Sequence, residues 1–128
     1  FLADLARAVT VPCEIAFMAA KSYYSGTEST ENVSVTLDID RDISGYNVII
    51  VEDIIDTGRT LKKIAEMLRQ RDPFSLKIIT LLDKPSRRAV DFSADISLFT
   101  IDDLFVIGYG LDLDEKFRNL PYIAEYQE

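Results

Sequence analysis

Asn47-Val48-Ile49-Ile50-Val51-Glu52-Asp53-Ile54-Ile55-Asp56-Thr57-Gly58-Arg59-Thr60-Leu61 runs from a β-branched apolar block, through two acids, into a threonine-glycine turn. The block at 47–51 is continuous rather than alternating, and so is a later one at 77–82. Such runs predict strands buried on both faces, as in a parallel sheet. Between them Leu61, Ile64, Ala65 and Leu68 recur at helical spacing. The unit is therefore strand, helix, parallel strand, which places the chain in the α/β class. Apolar runs at 96–99 and 105–107 are expected to extend the sheet. In an open parallel sheet, ligands sit outside the carboxyl ends of the strands, where the following helix offers unpaired amides and a positive dipole end. Asp56-Thr57-Gly58-Arg59-Thr60 falls at that position.

Upstream, Leu2, Leu5, Ala6 and Val9 repeat at helical spacing and Pro12 closes the element, which predicts a short amphipathic opening helix. A strand is expected at 14–18. Lys21-Ser22-Tyr23-Tyr24-Ser25-Gly26-Thr27-Glu28-Ser29-Thr30-Glu31-Asn32 is polar without an apolar period and reads as a long exposed loop. Val33, Val35, Leu37 and Ile39 alternate with polar residues, the pattern of a half-buried strand. Loop and flanks together predict an extended hairpin, and long loops in compact domains are often lids.

The chain has 128 residues, 48% of them hydrophobic, enough for a single domain spanning 1–128. Its net charge of -8 argues against nucleic acid and anionic membranes as partners. With no histidine and only Cys13, histidine-activated nucleophiles and ordinary structural zinc sites are excluded. One cysteine and no apolar run of membrane-spanning length give a cytoplasmic reading. Asn32-Val33-Ser34 fits a glycosylation acceptor, a tripeptide that arises often by chance. The opening Phe1 enters a helical pattern without a cap, and the chain is expected to begin inside a larger gene product.

Carboxylates, lysines and backbone amides are left to carry chemistry. Gly58 allows a tight turn with close backbone approach, while Thr57 and Thr60 add hydroxyl donors to a phosphate nest. No Walker loop occurs, and Gly108-Tyr109-Gly110 lacks the third glycine of a dinucleotide fingerprint, with Leu113 in its place. Glu52 and Asp53 are like charges at a strand end and repel unless something bridges them, as ribose hydroxyls or Mg2+ would. An acidic pair alone is usually one solvated carboxylate and one turn cap. Followed by an acid and a threonine-glycine turn, it reads as a sugar-phosphate cradle.

Residues 48–61 closely resemble the phosphoribosyl-pyrophosphate motif of the hypoxanthine-guanine phosphoribosyltransferases. Leu81-Leu82-Asp83-Lys84-Pro85-Ser86-Arg87-Arg88 is similar to their strand end carrying a purine-reading lysine. Phe105-Val106-Ile107-Gly108-Tyr109-Gly110-Leu111-Asp112 is similar to their purine-stacking and metal segment, and Glu115-Lys116-Phe117-Arg118-Asn119-Leu120-Pro121-Tyr122-Ile123 continues the likeness. The resemblance implies a type I phosphoribosyltransferase fold, a mostly parallel sheet flanked by helices with a long flexible hairpin loop. It implies transfer of phosphoribose from phosphoribosyl pyrophosphate to hypoxanthine or guanine, giving IMP or GMP and pyrophosphate.

By the same resemblance, Asp56 stands beside purine N7 as the catalytic acid or base, with an N-cap role for its carboxylate as the plainer alternative. Glu52 and Asp53 hold the ribose, and Thr57, Gly58, Arg59 and Thr60 hold its phosphate. Arg118 meets pyrophosphate. Lys84 donates to the purine 6-oxo group, Phe105 stacks on the base, and Val106 offers backbone groups to its edge. Asp112 is the metal position for Mg2+ beside the purine, with Glu52 and Asp53 completing the candidate carboxylates. Ser22 and Tyr23 match the Ser-Tyr of a mobile loop that closes over the reaction. A homodimer or homotetramer is implied. Family members also carry a segment before the position of Phe1, with a strand ending in a Leu-Lys-Gly pyrophosphate loop.

Two other classes compete. A phosphoribosyl-pyrophosphate-sensing regulator uses the same cradle but has no need of Lys84, Phe105 and Asp112. A flavodoxin-like receiver domain has acidic strand ends like Glu52-Asp53 but leaves Thr57-Gly58-Arg59-Thr60 unexplained.

Overall fold

A computed structural model describes residues 1–24 and 31–127, without the side chains of 22–24, 31 and 32. The opening helix α1 (Leu2–Ala8) is followed by an antiparallel pair, β1 (Ala19–Tyr24) and β2 (Glu31–Leu37). The centre is β3 (Asn47–Ile55), α2 (Arg59–Arg69), β4 (Ser75–Asp83) and β5 (Ile96–Thr100), forming a parallel sheet in the order β3-β4-β5. A 3-10 turn, Pro85–Arg87, follows β4. Two short strands, β6 (Val106–Ile107) and β7 (Ala124–Glu125), pair antiparallel near the end of the chain.

α2 buries Leu61, Ala65 and Leu68, three of its four stripe residues. Leu61 and Ala65 meet Ile55 and Ile78 in one core cluster. Leu81, Leu82 and Leu111 form a second cluster with Phe1, Ile54 and Ile123 against it. β4 is the central strand, and its Ile78, Thr80, Leu81 and Leu82 are all buried. β3 and β5 are edges and are only partly covered. Ile49 is 56% exposed, and Ile96, Leu98 and Phe99 of β5 are exposed too. The continuous run of β3 therefore overstated its burial, because an edge strand lacks a neighbour on one side.

Three further expectations are corrected. Residues 14–18 form no strand; Ile15 and Phe17 are exposed, and extended pairing starts at Ala19, opposite Leu37. The predicted loop 21–32 is partly strand, since Lys21 pairs with Ser34 and Tyr24 with Glu31; its tip, 25–30, lies outside the described residues. Cross-strand pairing, which a polar pattern does not show, carries this segment into the ladder. The run at 105–107 does not extend the parallel sheet; Val106 and Ile107 pair with Glu125 and Ala124 instead.

Register aligns the carboxyl ends of the main sheet. Ile55 lies beside Asp83, and Asp83 beside Thr100. The amide of Lys84 donates to the Ile55 carbonyl at 3.0 Å, and that of Ile101 to the Asp83 carbonyl at 2.9 Å. The turn after β3, Lys84 after β4 and the loop after β5 thus leave one edge together.

Candidate active site

At that edge the chain turns from β3 into α2 through Gly58, which is left-handed at φ 79° and is the N-cap residue of the helix. A Cβ there would lie 3.0 Å from Cδ of Arg88, so both the dihedral and the space favour glycine. No acid stands in the first turn of α2, and the Thr57 hydroxyl accepts from the Arg59 amide at 3.4 Å. A helix start free of carboxylates suits an anion. Thr57, Gly58 and Thr60 line a cleft of ≈ 420 Å³ with Glu52, Asp56 and Ile64. Met18, Ala19 and Ala20 close its other side, a lining that apolar side chains without a charged or polar group do not announce in the sequence.

Asp56 caps nothing. The N-cap is Gly58 without a side-chain cap, and Oδ1 of Asp56 instead accepts from Nε of Arg87 at 3.2 Å. The following arginine fixes the turn itself. Nη1 of Arg88 donates to the Asp56 carbonyl at 2.7 Å, its Nη2 pairs with the Asp83 carboxylate, and the Ala89 amide donates to the Thr57 carbonyl at 3.0 Å. Arg88 and Asp83 are largely buried, a setting in which losing one partner leaves the other charge uncompensated. Asp83, Arg87 and Arg88 were not singled out from the sequence; their position just past a strand end, beside Lys84, is the signal that could have found them.

Glu52 and Asp53 lie one turn of strand earlier. Glu52 lines both the cleft beside Gly58 and a second cleft of ≈ 290 Å³ formed with Phe1, Leu2, Val51, Asp53, Tyr109 and Gly110. Burial first, and the neighbouring Asp53 charge second, push the Glu52 carboxyl up to about 7. The Glu52 carboxyl therefore keeps its proton to a higher pH than an ordinary carboxylate does.

Lys84 is buried rather than solvated, with Nζ 3.9 Å from Oδ1 of Asp103. Phe105 is half exposed and meets Tyr126 edge-on at a centroid distance of 6.2 Å, which leaves ring area open. Gly108 is required sterically: its φ is 90°, and a Cβ would fall 2.1 Å from the Tyr122 carbonyl oxygen. Beyond it, Asp112 accepts the Glu115 amide at 2.9 Å through Oδ2 and lies 3.0 Å from Arg118 through Oδ1. Arg118 also donates to the Gly110 carbonyl at 2.9 Å and to Glu115 at 3.0 Å. The Tyr109 hydroxyl donates to Asp4, tying α1 to this segment. Ser22 and Tyr23 lie on β1, opposite Val33 and Asn32, and only their backbone is described.

Among the described residues no three acids or sulfur ligands converge on one metal position. Mg2+ dehydrates reluctantly and is commonly held by one or two carboxylates plus substrate oxygens. Asp112 and the Glu52-Asp53 pair, carboxylates from two separate segments, fit that mode better than an all-protein cage.

Residues 1–114 match the family described as the phosphoribosyl transferase domain. The chain is 53% identical over 125 residues to hypoxanthine phosphoribosyltransferase of Salmonella typhimurium, covering 98% of this chain and 70% of that protein. It is 47% identical over 128 residues to hypoxanthine-guanine phosphoribosyltransferase of Streptococcus pneumoniae, covering 100% and 71%. The fold is similar to a Staphylococcus aureus hypoxanthine phosphoribosyltransferase, with TM-score 0.92, 46% identity and coverage of 98% of this chain and 68% of that one. It is equally similar to a variant of the Trypanosoma cruzi hypoxanthine phosphoribosyltransferase in a ternary substrates complex, with TM-score 0.92, 43% identity and coverage of 98% and 69%.

Proposed function

The chain belongs to the phosphoribosyl transferase family, and on that premise we propose that it moves phosphoribose from phosphoribosyl pyrophosphate to hypoxanthine or guanine, the reaction for which its relatives are named. The observation that carries the reading is the shared strand edge. Register brings the Asp56 to Thr60 turn and buried Lys84 to one rim of the sheet, which supports a reading with a sugar-phosphate cradle beside a cationic donor.

In this reading the 5-phosphate rests on the α2 start at Thr57, Gly58, Arg59 and Thr60, and the ribose hydroxyls bond Glu52 and Asp53. A purine nitrogen attacks the anomeric carbon and the bond to pyrophosphate breaks. Asp56 accepts the proton from the base at N7 or stabilises the base while it is cationic. Lys84 donates to the 6-oxo oxygen, which favours hypoxanthine and guanine over adenine, whose 6-amino group is itself a donor. Phe105 stacks on the base and Val106 meets its edge. Asp112, with Glu52 and Asp53 near the sugar, would hold Mg2+, which neutralises charge gathering on the leaving pyrophosphate. Arg118 adds a forked donor toward that pyrophosphate once it exchanges its present carboxylate partners. Ser22 and Tyr23 belong to the closing loop.

We also place this chain in the cytoplasm and in a homodimer or homotetramer. No helix among the described residues is long and apolar enough to cross a membrane. The exposed Ile96, Leu98 and Phe99 of the edge strand support assembly.

The test is to incubate the chain, alone and with any residues its gene encodes upstream, with Mg2+, phosphoribosyl pyrophosphate and each of hypoxanthine, guanine, xanthine and adenine. Nucleotide formation with hypoxanthine or guanine supports the reading; binding of the activated sugar with no nucleotide from any base overturns it in favour of a sensor.

A further inference from the structure

Two of the groups assigned above to the base, Asp56 and Lys84, follow the ends of two different strands, β3 and β4, and are assigned to different atoms of it. A path of charges nevertheless joins them. Nε of Arg87 lies 3.2 Å from Oδ1 of Asp56, and Nη1 of Arg87 lies 3.6 Å from Oδ2 of Asp103. Oδ1 of Asp103 in turn lies 3.9 Å from Nζ of Lys84. Arg87 ends the 3-10 turn that starts right after Lys84, and its amide donates to the Lys84 carbonyl at 3.1 Å. Its backbone is therefore fixed relative to the lysine, while its side chain reaches across to the next strand's carboxylate.

We infer that Arg87, held by Asp103, is a positioning residue that orients the Asp56 carboxylate toward the base and couples it to Lys84; this rests on the phosphoribosyl-transfer reading above. A carboxylate has two oxygens with several acceptor directions. Arg87 takes Oδ1, which leaves Oδ2 for a proton at purine N7. The guanidinium is suited to this because its rigid fork can serve two carboxylates at once, which a lysine ammonium on a flexible stem does poorly. The pair is about half exposed, so its worth to folding is small and its value lies in geometry. Arg88, the next residue, holds the Asp56 backbone rather than its carboxylate. The two arginines thus divide main chain from side chain.

The test uses the full protein as its gene encodes it and reads kcat and KM separately. Arg87→Gln should lower kcat about 10-fold with KM for phosphoribosyl pyrophosphate within about twofold, since orientation at the reacting centre is lost and sugar binding is not. Arg87→Lys should recover only part of that loss. Asp103→Asn should also lower kcat, and combining it with Arg87→Gln should cost no more than Arg87→Gln alone, because both act through one contact. A kcat within about twofold of the unmodified protein in Arg87→Gln, full recovery by Arg87→Lys, or losses that multiply in the double variant would each overturn the inference while leaving the transferase reading standing. An unmodified protein that forms no nucleotide overturns both.

Discussion

Glu52 stands where the two clefts meet, and its carboxyl is pushed up to about 7 by burial and by Asp53. The sign of the consequence follows from proton counting. Between the ordinary value of 4.5 and about 7 the folded chain keeps a proton at Glu52 that the unfolded chain gives up. Stability from this group is therefore highest below 4.5 and falls as pH rises through 7. Glu52→Gln should gain stability over the unmodified chain on going from pH 4 to pH 8, by on the order of 2 kcal/mol, in urea unfolding with a chelator present. An equal difference at both pH values would remove burial as the cause. The neighbouring residues divide another way. Asp56→Asn should lower turnover about 100-fold or more with sugar binding nearly kept, whereas Thr60→Ala should weaken that binding roughly 3- to 10-fold. Calorimetric titration with phosphoribosyl pyrophosphate separates the two, and equal loss of binding in both variants would refute the division. Glu52, Asp53 and Asp56 stood out in the sequence because carboxylates at a strand end before a threonine-glycine turn form a pattern along the chain, whereas Lys84 stood out only through the resemblance of residues 81–88, a lysine before a proline being by itself an ordinary solvated cation. Arg87 and Asp103 were not, because their contacts cross between elements, and Asp103 looks like any acid in a polar loop.

The β3-α2-β4 unit was the part of the fold most readily read from sequence, because β-branched runs and a helical stripe are both local signals. Strands whose existence depends on a partner were the part misread: β1 lies outside the predicted 14–18, and the two residues of β6 pair with β7 rather than with the sheet. Glycine marks where elements must turn. Gly58 and Gly108 both have positive φ, yet their surroundings differ. A Cβ at Gly58 would lie 3.0 Å from an arginine methylene, whereas one at Gly108 would lie 2.1 Å from the Tyr122 carbonyl oxygen. An arginine side chain can shift, but backbone cannot without disturbing the β6-β7 end. Gly58→Ala should therefore cost about 1–2 kcal/mol of stability and weaken sugar-phosphate binding, while Gly108→Ala should cost more. Thermal unfolding of both variants checks the order, and a milder effect at Gly108 would contradict this account of the turn.

Across the whole molecule the charge is -8, yet Arg59, Lys84, Arg87 and Arg88 gather at the carboxyl edge of the sheet. Local cations and a helix start oppose the general field where an anionic sugar must enter. Lys84, Arg87 and Arg88 pair with the carboxylates of Asp56, Asp83 and Asp103, so the rim is a balanced network rather than a bare basic patch. Such a network favours a ligand that brings both acceptor and donor groups, as an oxopurine does. The central claim is that this edge recognises a 6-oxopurine for phosphoribosyl transfer, with buried Lys84 as the donor. Its most direct test is the ratio of kcat/KM for hypoxanthine to that for adenine, measured with Mg2+ and phosphoribosyl pyrophosphate in the unmodified protein and in Lys84→Gln. A ratio of about 100 or more that falls at least 10-fold in the variant is predicted, since a buried donor facing another donor is left unpaired. Equal use of both bases by the unmodified protein, or a ratio unchanged by Lys84→Gln, would contradict it.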